Sequence, residues 1–227
     1  MAIYTRAYHN AEFHITTCDG SNTLCYILLP KGTLNEMTAW AAKAATEHNC
    51  NIVLISGMDW NKDMTPWPAD GVMKERKPFS GGAAMYMKAL LEDYVPYIER
   101  LLKSNSPKRY LLGISLSGLF AIWSLTSTNV FCGVASISGS LWYDGFTEWM
   151  ADKTPASETK VYISLGVKEK NAPDRRMATV EKCTEKIGES LEGRGVDVTF
   201  ELVSGTHFSP AAPKFEKALS AILVDIQ

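Results

Sequence analysis

The chain has 227 residues, a length that suits one large α/β domain, and neither a repeat nor a linker-like stretch divides it. Hydrophobic residues make up 46% of the chain and charged residues 21%, proportions that are typical of a globular protein. The net charge of −2 gives no electrostatic basis for binding nucleic acid or an anionic membrane, and no apolar run is long enough to span a bilayer. We therefore expect a single domain over residues 1–227 that binds neither nucleic acid nor membrane.

The cysteines and histidines show no spacing that is typical of a disulfide framework or a metal site. Five cysteines are scattered without a Cys-x-x-Cys pair, and the four histidines lack the spacing of metal ligands. Residues 1–18 lack the basic start and the apolar core of a signal peptide. These features predict a cytoplasmic protein that needs no metal ion or other cofactor.

Apolar runs alternate with helix-like segments along the chain. The predicted strands cover residues 11–18, 24–29, 51–56, 109–112, 131–137, 160–165 and 196–202. The predicted helices cover residues 35–48, 82–103, 117–125, 172–192 and 211–226. This alternation predicts an α/β fold with a mainly parallel sheet and helices on both faces, and in such folds the chemistry lies beyond the carboxyl ends of the strands.

One short segment predicts a nucleophile. Residues 113–118, Gly-Ile-Ser-Leu-Ser-Gly, directly follow an apolar strand and begin a helix of small residues. A strand, a sharp Gly-x-Ser turn and a helix form a nucleophile elbow, in which a strained backbone lifts the hydroxyl of Ser115 above the sheet. The usual pattern is Gly-x-Ser-x-Gly, and Ser117 stands at its last position here. The alternative interpretation is a tight turn with a capping serine.

A serine hydroxyl needs a general base, and the base needs an orienting acid. His207 is the candidate base because it lies in the loop between the last predicted strand and the last predicted helix. The acid should lie between the serine and the histidine in the chain. Glu169 fits best, just past the carboxyl end of a strand, and Asp174 in the same loop is the alternative.

The oxyanion that develops on the substrate needs backbone donors. One is expected to be the amide of Leu116, directly after the nucleophile, and the other an amide in the loop after the third strand. The third predicted strand ends at residue 56, so the amides of Met58 and Asp59 are the favoured candidates, and the sequence does not distinguish between them.

The loop over residues 57–79 is long and rich in Trp, Pro, Met and Asp. Long structured loops are usually functional, so Trp60 and Trp67 are candidates for the wall of a substrate pocket. A minor core that holds the loop to the body explains them equally well. Trp142, which follows the strand at residues 131–137, is a further candidate for the pocket wall.

Several motifs together resemble the putative-esterase family of α/β-hydrolases, which includes esterase D, feruloyl esterase and enterochelin esterase domains. They are the elbow followed by Leu119-Phe120, the Gly-x-x-Glu that ends at Glu169, Gly205-Thr206-His207, and Gly57-x-x-Trp60-x-x-x-Met64-x-x-Trp67-Pro68. The resemblance runs from about residue 11 to the end of the chain. It implies the α/β-hydrolase fold, with Ser115 as nucleophile, Glu169 as acid and His207 as base. No additional lid or N-terminal domain is recognisable, so a siderophore substrate does not carry over with the fold.

The motifs predict a serine carboxylesterase that hydrolyses a small-molecule ester through an acyl-enzyme on Ser115. An acyltransferase with the same triad is an alternative, because it differs only in the alcohol that replaces water. A non-catalytic binding protein with the hydrolase fold is a second alternative, although the intact order of Ser, Glu and His argues against it.

Overall fold

A computed structural model describes residues 2–72, 77–153, 155 and 159–223. The strands within these ranges are β1 (Ile3–Tyr8), β2 (Ala11–Thr16), β3 (Thr23–Leu28), β4 (Asn51–Ser56), β5 (Pro68–Ala69), β6 (Phe79–Ser80), β7 (Lys108–Ile114), β8 (Gly133–Ile137), β9 (Lys160–Gly166) and β10 (Asp197–Val203). All but β5 and β6 form one sheet in the order β1-β2-β4-β3-β7-β8-β9-β10. Both neighbours of β2 run antiparallel to it, and every other pair in this sheet is parallel. The prediction of a mainly parallel sheet is confirmed.

Helices cover both faces of the sheet, because its central strands are apolar on both sides. The helices are α1 (Leu34–Glu47), α2 (Trp60–Asp63), α3 (Ala83–Ala89), α4 (Val95–Leu102), α5 (Leu116–Ser124), α6 (Phe146–Ala151), α7 (Val180–Glu192) and α8 (Ala211–Ile222). In β3, Tyr26 enters the core under α3, α4, α5 and α7, whereas Ile27 enters the core under α1 and α8. This alternation is what a strand buried on both faces requires.

The structure differs from the prediction in several elements, and the short α2, β5 and β6 within the predicted long loop are among them. β1 is not predicted, because it is an edge strand with half-buried or exposed residues and no apolar alternation. The short helix α6 is not predicted either. The helix predicted over residues 172–192 begins only at Val180, after two short 3₁₀ turns. Residues 224–226 of the last predicted helix and residues 73–76 of the predicted long loop lie outside the described residues.

The parallel strands bring three loops to one edge of the sheet. β7 ends at Ile114, β9 at Gly166 and β10 at Val203, and their carboxyl ends point the same way. None of the described helices is both long and apolar enough to cross a membrane. The edge at which these three strands end therefore holds the candidate site.

Candidate active site

Ser115 occupies a strained turn between β7 and α5. Its backbone has φ 58° and ψ −123°, a positive φ that is uncommon for a residue other than glycine. The turn is tight: a Cβ atom on Gly113 would lie 2.1 Å from the carbonyl oxygen of Ser117, and one on Gly118 would lie 2.9 Å from the Cα of Gly139. Small residues on both sides of Ser115 are therefore a steric requirement of the elbow.

Ser117 fits the place at which the usual pattern has glycine. Its side chain is buried, and its hydroxyl accepts a hydrogen bond from the amide of Ile114 at 2.8 Å. The single proton of the same hydroxyl lies between two carbonyl acceptors, that of Leu28 at 2.8 Å and that of Ile114 at 2.9 Å. The hydroxyl thus links the elbow to the end of β3.

Ser115, His207 and Glu169 lie within hydrogen-bond distance of one another in series. Nε2 of His207 is 3.1 Å from Oγ of Ser115, and Nδ1 of His207 is 2.9 Å from Oε2 of Glu169. An ionised carboxylate only accepts hydrogen bonds, so Nδ1 carries the imidazole proton and Nε2 is free to accept the proton of Ser115. The three side chains come from the loops after β7, β10 and β9.

Glu169 is held as an anion in a buried place. Its side chain is only 4% exposed, and its second oxygen, Oε1, accepts the amide of Gly166 at 2.9 Å. Burial acts to raise the pKa of this carboxyl. The hydrogen bonds from His207, Ser138 and the Gly166 amide, together with the charge of His207, outweigh burial and hold the pKa below its usual value.

The carboxylate of Asp174, the alternative acid, binds backbone amides of its own loop. Its Oδ1 accepts the backbone amides of Arg176 at 2.9 Å and of Met177 at 3.3 Å. A carboxylate that accepts these amides caps the short 3₁₀ turn that follows it. Of the two carboxylates, Glu169 is therefore the one that the structure brings to His207.

The predicted oxyanion donors have different outcomes. Leu116 is the first residue of α5, where backbone amides have no acceptor within the helix, so its amide is available beside Ser115. The amide of Asp59 already donates to Oδ2 of Asp63 at 2.8 Å. The assignments of Met58 and Asp59 as donors stay predictions. The choice of both residues depends on the strand before them being the third, and the unpredicted β1 makes that strand the fourth, β4.

The loop after the true third strand lies beside the elbow. β3 pairs directly with β7, whereas β4 lies one strand further away. The Ser117 hydroxyl contacts the last residue of β3, Leu28. In the residues that follow, the Leu29 amide donates to Ile55 and Pro30 has no amide hydrogen. Lys31 and Gly32 therefore carry the next amides in this loop.

A cavity of about 930 Å³ opens beside His207 and Glu169. Its apolar wall includes Trp142, Met177, Val180 and Phe208. Phe208 is 88% exposed, so it lies at the mouth of the cavity. The prediction that Trp142 lines a pocket agrees with this geometry. The sequence pattern does not single out the other wall residues, although Phe208 directly follows the candidate base.

Trp60 and Trp67 are not found among the described residues that line this cavity. Trp67 packs in an aromatic cluster with Tyr143 and with two residues of α6, Phe146 and Trp149, at ring distances of 5.6–6.2 Å. Its indole nitrogen donates to the carbonyl of Asp144 at 2.9 Å. Trp60 is partly buried against the main core. These two tryptophans therefore hold the long loop to the body, in agreement with the alternative interpretation.

The long loop still reaches the cavity wall, through Arg176. The Nη2 of Arg176 donates to the carbonyls of Asp70 at 2.8 Å and of Gly71 at 2.9 Å, and its Nη1 pairs with the carboxylate of Asp144. The guanidinium also lies 5.9 Å from the centre of the Trp142 ring. One side chain thus ties three loops together at the wall.

Comparisons with known proteins agree with this architecture. The family model described as "Putative esterase" matches residues 30–226. The protein YbbA of Bacillus subtilis (strain 168) is 26% identical over 137 residues, which are 59% of this chain and 55% of YbbA, so the match spans little more than half of that relative.

Solved structures share the fold over almost the whole chain. The BES protein from Bacillus cereus has a TM-score of 0.69 and 20% identity over 97% of this chain and 94% of its own. IroE, described as an enterobactin and salmochelin hydrolase, has a TM-score of 0.73 and 19% identity over the same two shares. These likenesses, with the strand order described above, identify the fold as that of the α/β-hydrolases.

Proposed function

Because the chain belongs to the Putative esterase family, we propose that it is a serine carboxylesterase in which Ser115 is the nucleophile, His207 the base and Glu169 the acid. Family membership supports carboxylic ester hydrolysis. The observation that carries the assignment of residues is the series of two contacts, 3.1 Å from Ser115 to His207 and 2.9 Å from His207 to Glu169. Nucleophile, base and acid in such contact are the arrangement that serine hydrolases use.

The reaction begins when the hydroxyl oxygen of Ser115 attacks the ester carbonyl and its proton moves to Nε2 of His207. The carbonyl electrons move onto the oxygen, which becomes an oxyanion. When the carbonyl re-forms, the bond to the alcohol breaks, and Nε2 returns the proton to the leaving oxygen. Water then attacks the acyl group on Ser115 with the same base, and the acid is released.

Glu169 stabilises the imidazolium that forms in both steps. Its carboxylate fixes the imidazole with Nδ1 protonated and faces the positive charge without taking the proton. The lowered pKa of Glu169 supports this role, because the carboxylate stays ionised at neutral pH. The buried position strengthens the interaction, since little water screens it.

Two backbone amides are proposed to bind the oxyanion. The first is that of Leu116, and the second comes from Lys31 or Gly32 in the loop after β3, with Met58 as the alternative. The Ser117–Leu28 contact supports a second donor in the loop after β3, because it fixes the end of that strand against the elbow. In a phosphonate adduct of Ser115, the proton resonances of the true donors should shift downfield in an NMR spectrum. A shift at Met58 and none in the β3 loop would favour the alternative.

The cavity supports a small-molecule ester with an apolar acyl or alcohol group. It adjoins His207, and aromatic and aliphatic side chains form much of its wall. A panel of p-nitrophenyl esters of increasing chain length, together with natural esters, should show the preferred size.

A serine-directed phosphonate tests the assignment. It should label Ser115, as peptide mapping by mass spectrometry would show, and it should abolish hydrolysis. The Ser115→Ala variant should keep the fold but lose the activity. Labelling at Ser117 would overturn the assignment. Transfer of the acyl group to an added alcohol in preference to water would show an acyltransferase instead.

A further inference from the structure

Lys214 is a buried lysine that the proposed reaction does not use. It lies on the first turn of α8, and only 6% of the residue is exposed. Lysine is almost never buried so deeply unless its ammonium group is fully partnered. Here its Nζ has three acceptors: Oγ of Ser138 at 3.0 Å, the carbonyl of Thr206 at 3.0 Å and the carbonyl of His207 at 3.2 Å. These contacts match the three donors of an ammonium group.

Two of the three acceptors belong to the loop that carries the candidate base. Thr206 and His207 lie in a short loop between β10 and α8, and Phe208 beside them is exposed. Within this loop, Thr206 and Ser209 exchange local hydrogen bonds. The ammonium group binds the backbone carbonyl of His207 itself. It therefore fixes the position of the backbone that carries the imidazole.

The third acceptor, the hydroxyl of Ser138, lies beside the candidate acid Glu169. Ser138 directly follows β8 and has a positive φ of 47°, and its amide donates to Ser164 at 2.7 Å. Its hydroxyl accepts a hydrogen bond from Lys214, and it faces the carboxylate of Glu169, whose pKa it helps to lower. A left-handed backbone is costly for serine and persists where the surroundings hold it. Lys214 and Ser138 thus contact both members of the His207–Glu169 pair.

We infer that Lys214 is a positioning residue for the triad, which holds the His207 loop through two carbonyls and orients Glu169 through the Ser138 hydroxyl. Lys214 is not found among the described residues that line the cavity, and it acts through His207 and Glu169. The inference rests on the proposed function. An error of about 1 Å in the place of a catalytic group lowers turnover about 100-fold, so loss of this anchor should be visible in the rate.

The test is Lys214→Met, which keeps most of the length and the apolar stem but removes the donors. The matched control is Lys217→Met on the same helix, an exposed lysine that pairs with Glu201 away from the site. Competent sites are counted by phosphonate titration, and kcat is expressed per titrated site. We expect kcat per site to fall about 10- to 100-fold in Lys214→Met, with KM nearly unchanged, and to stay unchanged in Lys217→Met.

This readout separates positioning from stability. A merely structural lysine would lower the melting temperature and the number of competent sites, but it would leave kcat per site as in the wild type, and that result would overturn the inference. If Lys214→Met does not fold, Ser138→Ala decides instead, because it removes the hydroxyl that lies between Lys214 and Glu169 and leaves the two carbonyl acceptors of Lys214 in place. Its kcat per site should fall several-fold, and an unchanged value would also overturn the inference.

Failure of the proposed function gives a different result. In that case the wild-type protein itself would show no hydrolysis that depends on Ser115. Failure of the inference would show as an active wild type with equally active Lys214→Met sites. Chemical rescue adds a third readout: Lys214→Cys treated with bromoethylamine regains an ammonium group at this position, and its kcat per site should rise relative to identically treated wild type.

Discussion

The hydroxyl of Ser117 lies 2.8 Å from the carbonyl oxygen of Leu28, although the two residues are 89 positions apart in the chain. This contact joins the turn after the central strand β7 to the end of its neighbour β3. It also gives a structural role to the residue that departs from the usual elbow pattern. Where the usual pattern has glycine, Ser117 has a buried hydroxyl. The amide of Ile114 donates to this hydroxyl, and the carbonyls of Leu28 and Ile114 lie within reach of its proton.

The Ser117→Ala variant should be less stable than the wild type. The change removes the hydroxyl that accepts from the buried amide of Ile114 and contacts Leu28, which should lower the free energy of unfolding by about 1–3 kcal/mol. Urea unfolding measures this difference. Ser124→Ala in the same helix is the control, because its buried hydroxyl donates only to the carbonyl of Ala121. An equal loss in both variants would contradict the role of Ser117.

The Glu169→Gln variant should lose activity while it keeps the fold. An amide in place of the carboxylate no longer stabilises the imidazolium and favours the wrong tautomer, so kcat should fall by about 10⁴-fold. Steady-state kinetics on one ester measures the change. Asp174→Asn is the comparison, and we expect a much smaller effect because Asp174 caps a turn. The reverse order of effects would make Asp174 the acid.

The contribution of Glu169 to stability should depend on pH in a defined direction. Its folded pKa lies below its ordinary value of 4.5, so the folded state binds fewer protons at this site than the unfolded state. The stabilisation is therefore present above pH 4.5 and is lost as the pH falls through the folded pKa. The difference in free energy of unfolding between wild type and Glu169→Gln should shrink on acidification below pH 4.5.

Glu201→Gln gives the matched comparison for this pH dependence. The pKa of Glu201 is lowered too, first by its hydrogen bond with Lys217 and then by that with Tyr162, and it lies away from the candidate site. It should show the same direction of pH dependence without a loss of activity. A difference between wild type and Glu169→Gln that grows as the pH falls would show that burial dominates the titration of Glu169.

The two tryptophans Trp67 and Trp142 should respond differently to truncation. Trp67→Ala removes the centre of an aromatic cluster and should lower the free energy of unfolding by about 3 kcal/mol, with relative rates on different esters unchanged. Trp142→Ala enlarges the cavity and should shift the preference toward longer or bulkier esters. Unfolding curves and the ester panel measure the two effects. A changed ester preference in Trp67→Ala would show that Trp67 lines the pocket after all.

The sequence is sufficient to identify the residues at the strand ends. Ser115, Glu169 and His207 each follow a strand, and parallel strands deliver their following loops to one edge, so chain order alone brings them together. The second oxyanion donor is harder to predict, because its identification depends on counting strands. The edge strand β1 has little apolar pattern, since water covers most of it, and the count from the sequence is therefore one short.

Other features depend on contacts between distant segments, which a single sequence does not reveal. Trp67 is equally suited to a pocket or a core, and its position depends on α6, a helix of six residues with too little periodicity to predict. The sequence around Lys214 is that of an ordinary helix with an exposed lysine. Lys214 is buried because the loops after β8 and β10 approach it in the folded chain. Its place in the site is a property of the tertiary structure.

The placement of β10 at the edge of the sheet has a consequence for heat inactivation. The nucleophile follows the central strand β7, whereas the base follows β10, which has a neighbour on one side only and is mostly half-buried or exposed. Edge elements open locally with less free energy than central ones. Warming should therefore detach the base from an otherwise folded molecule, so that activity fades reversibly several degrees below the temperature at which the core melts.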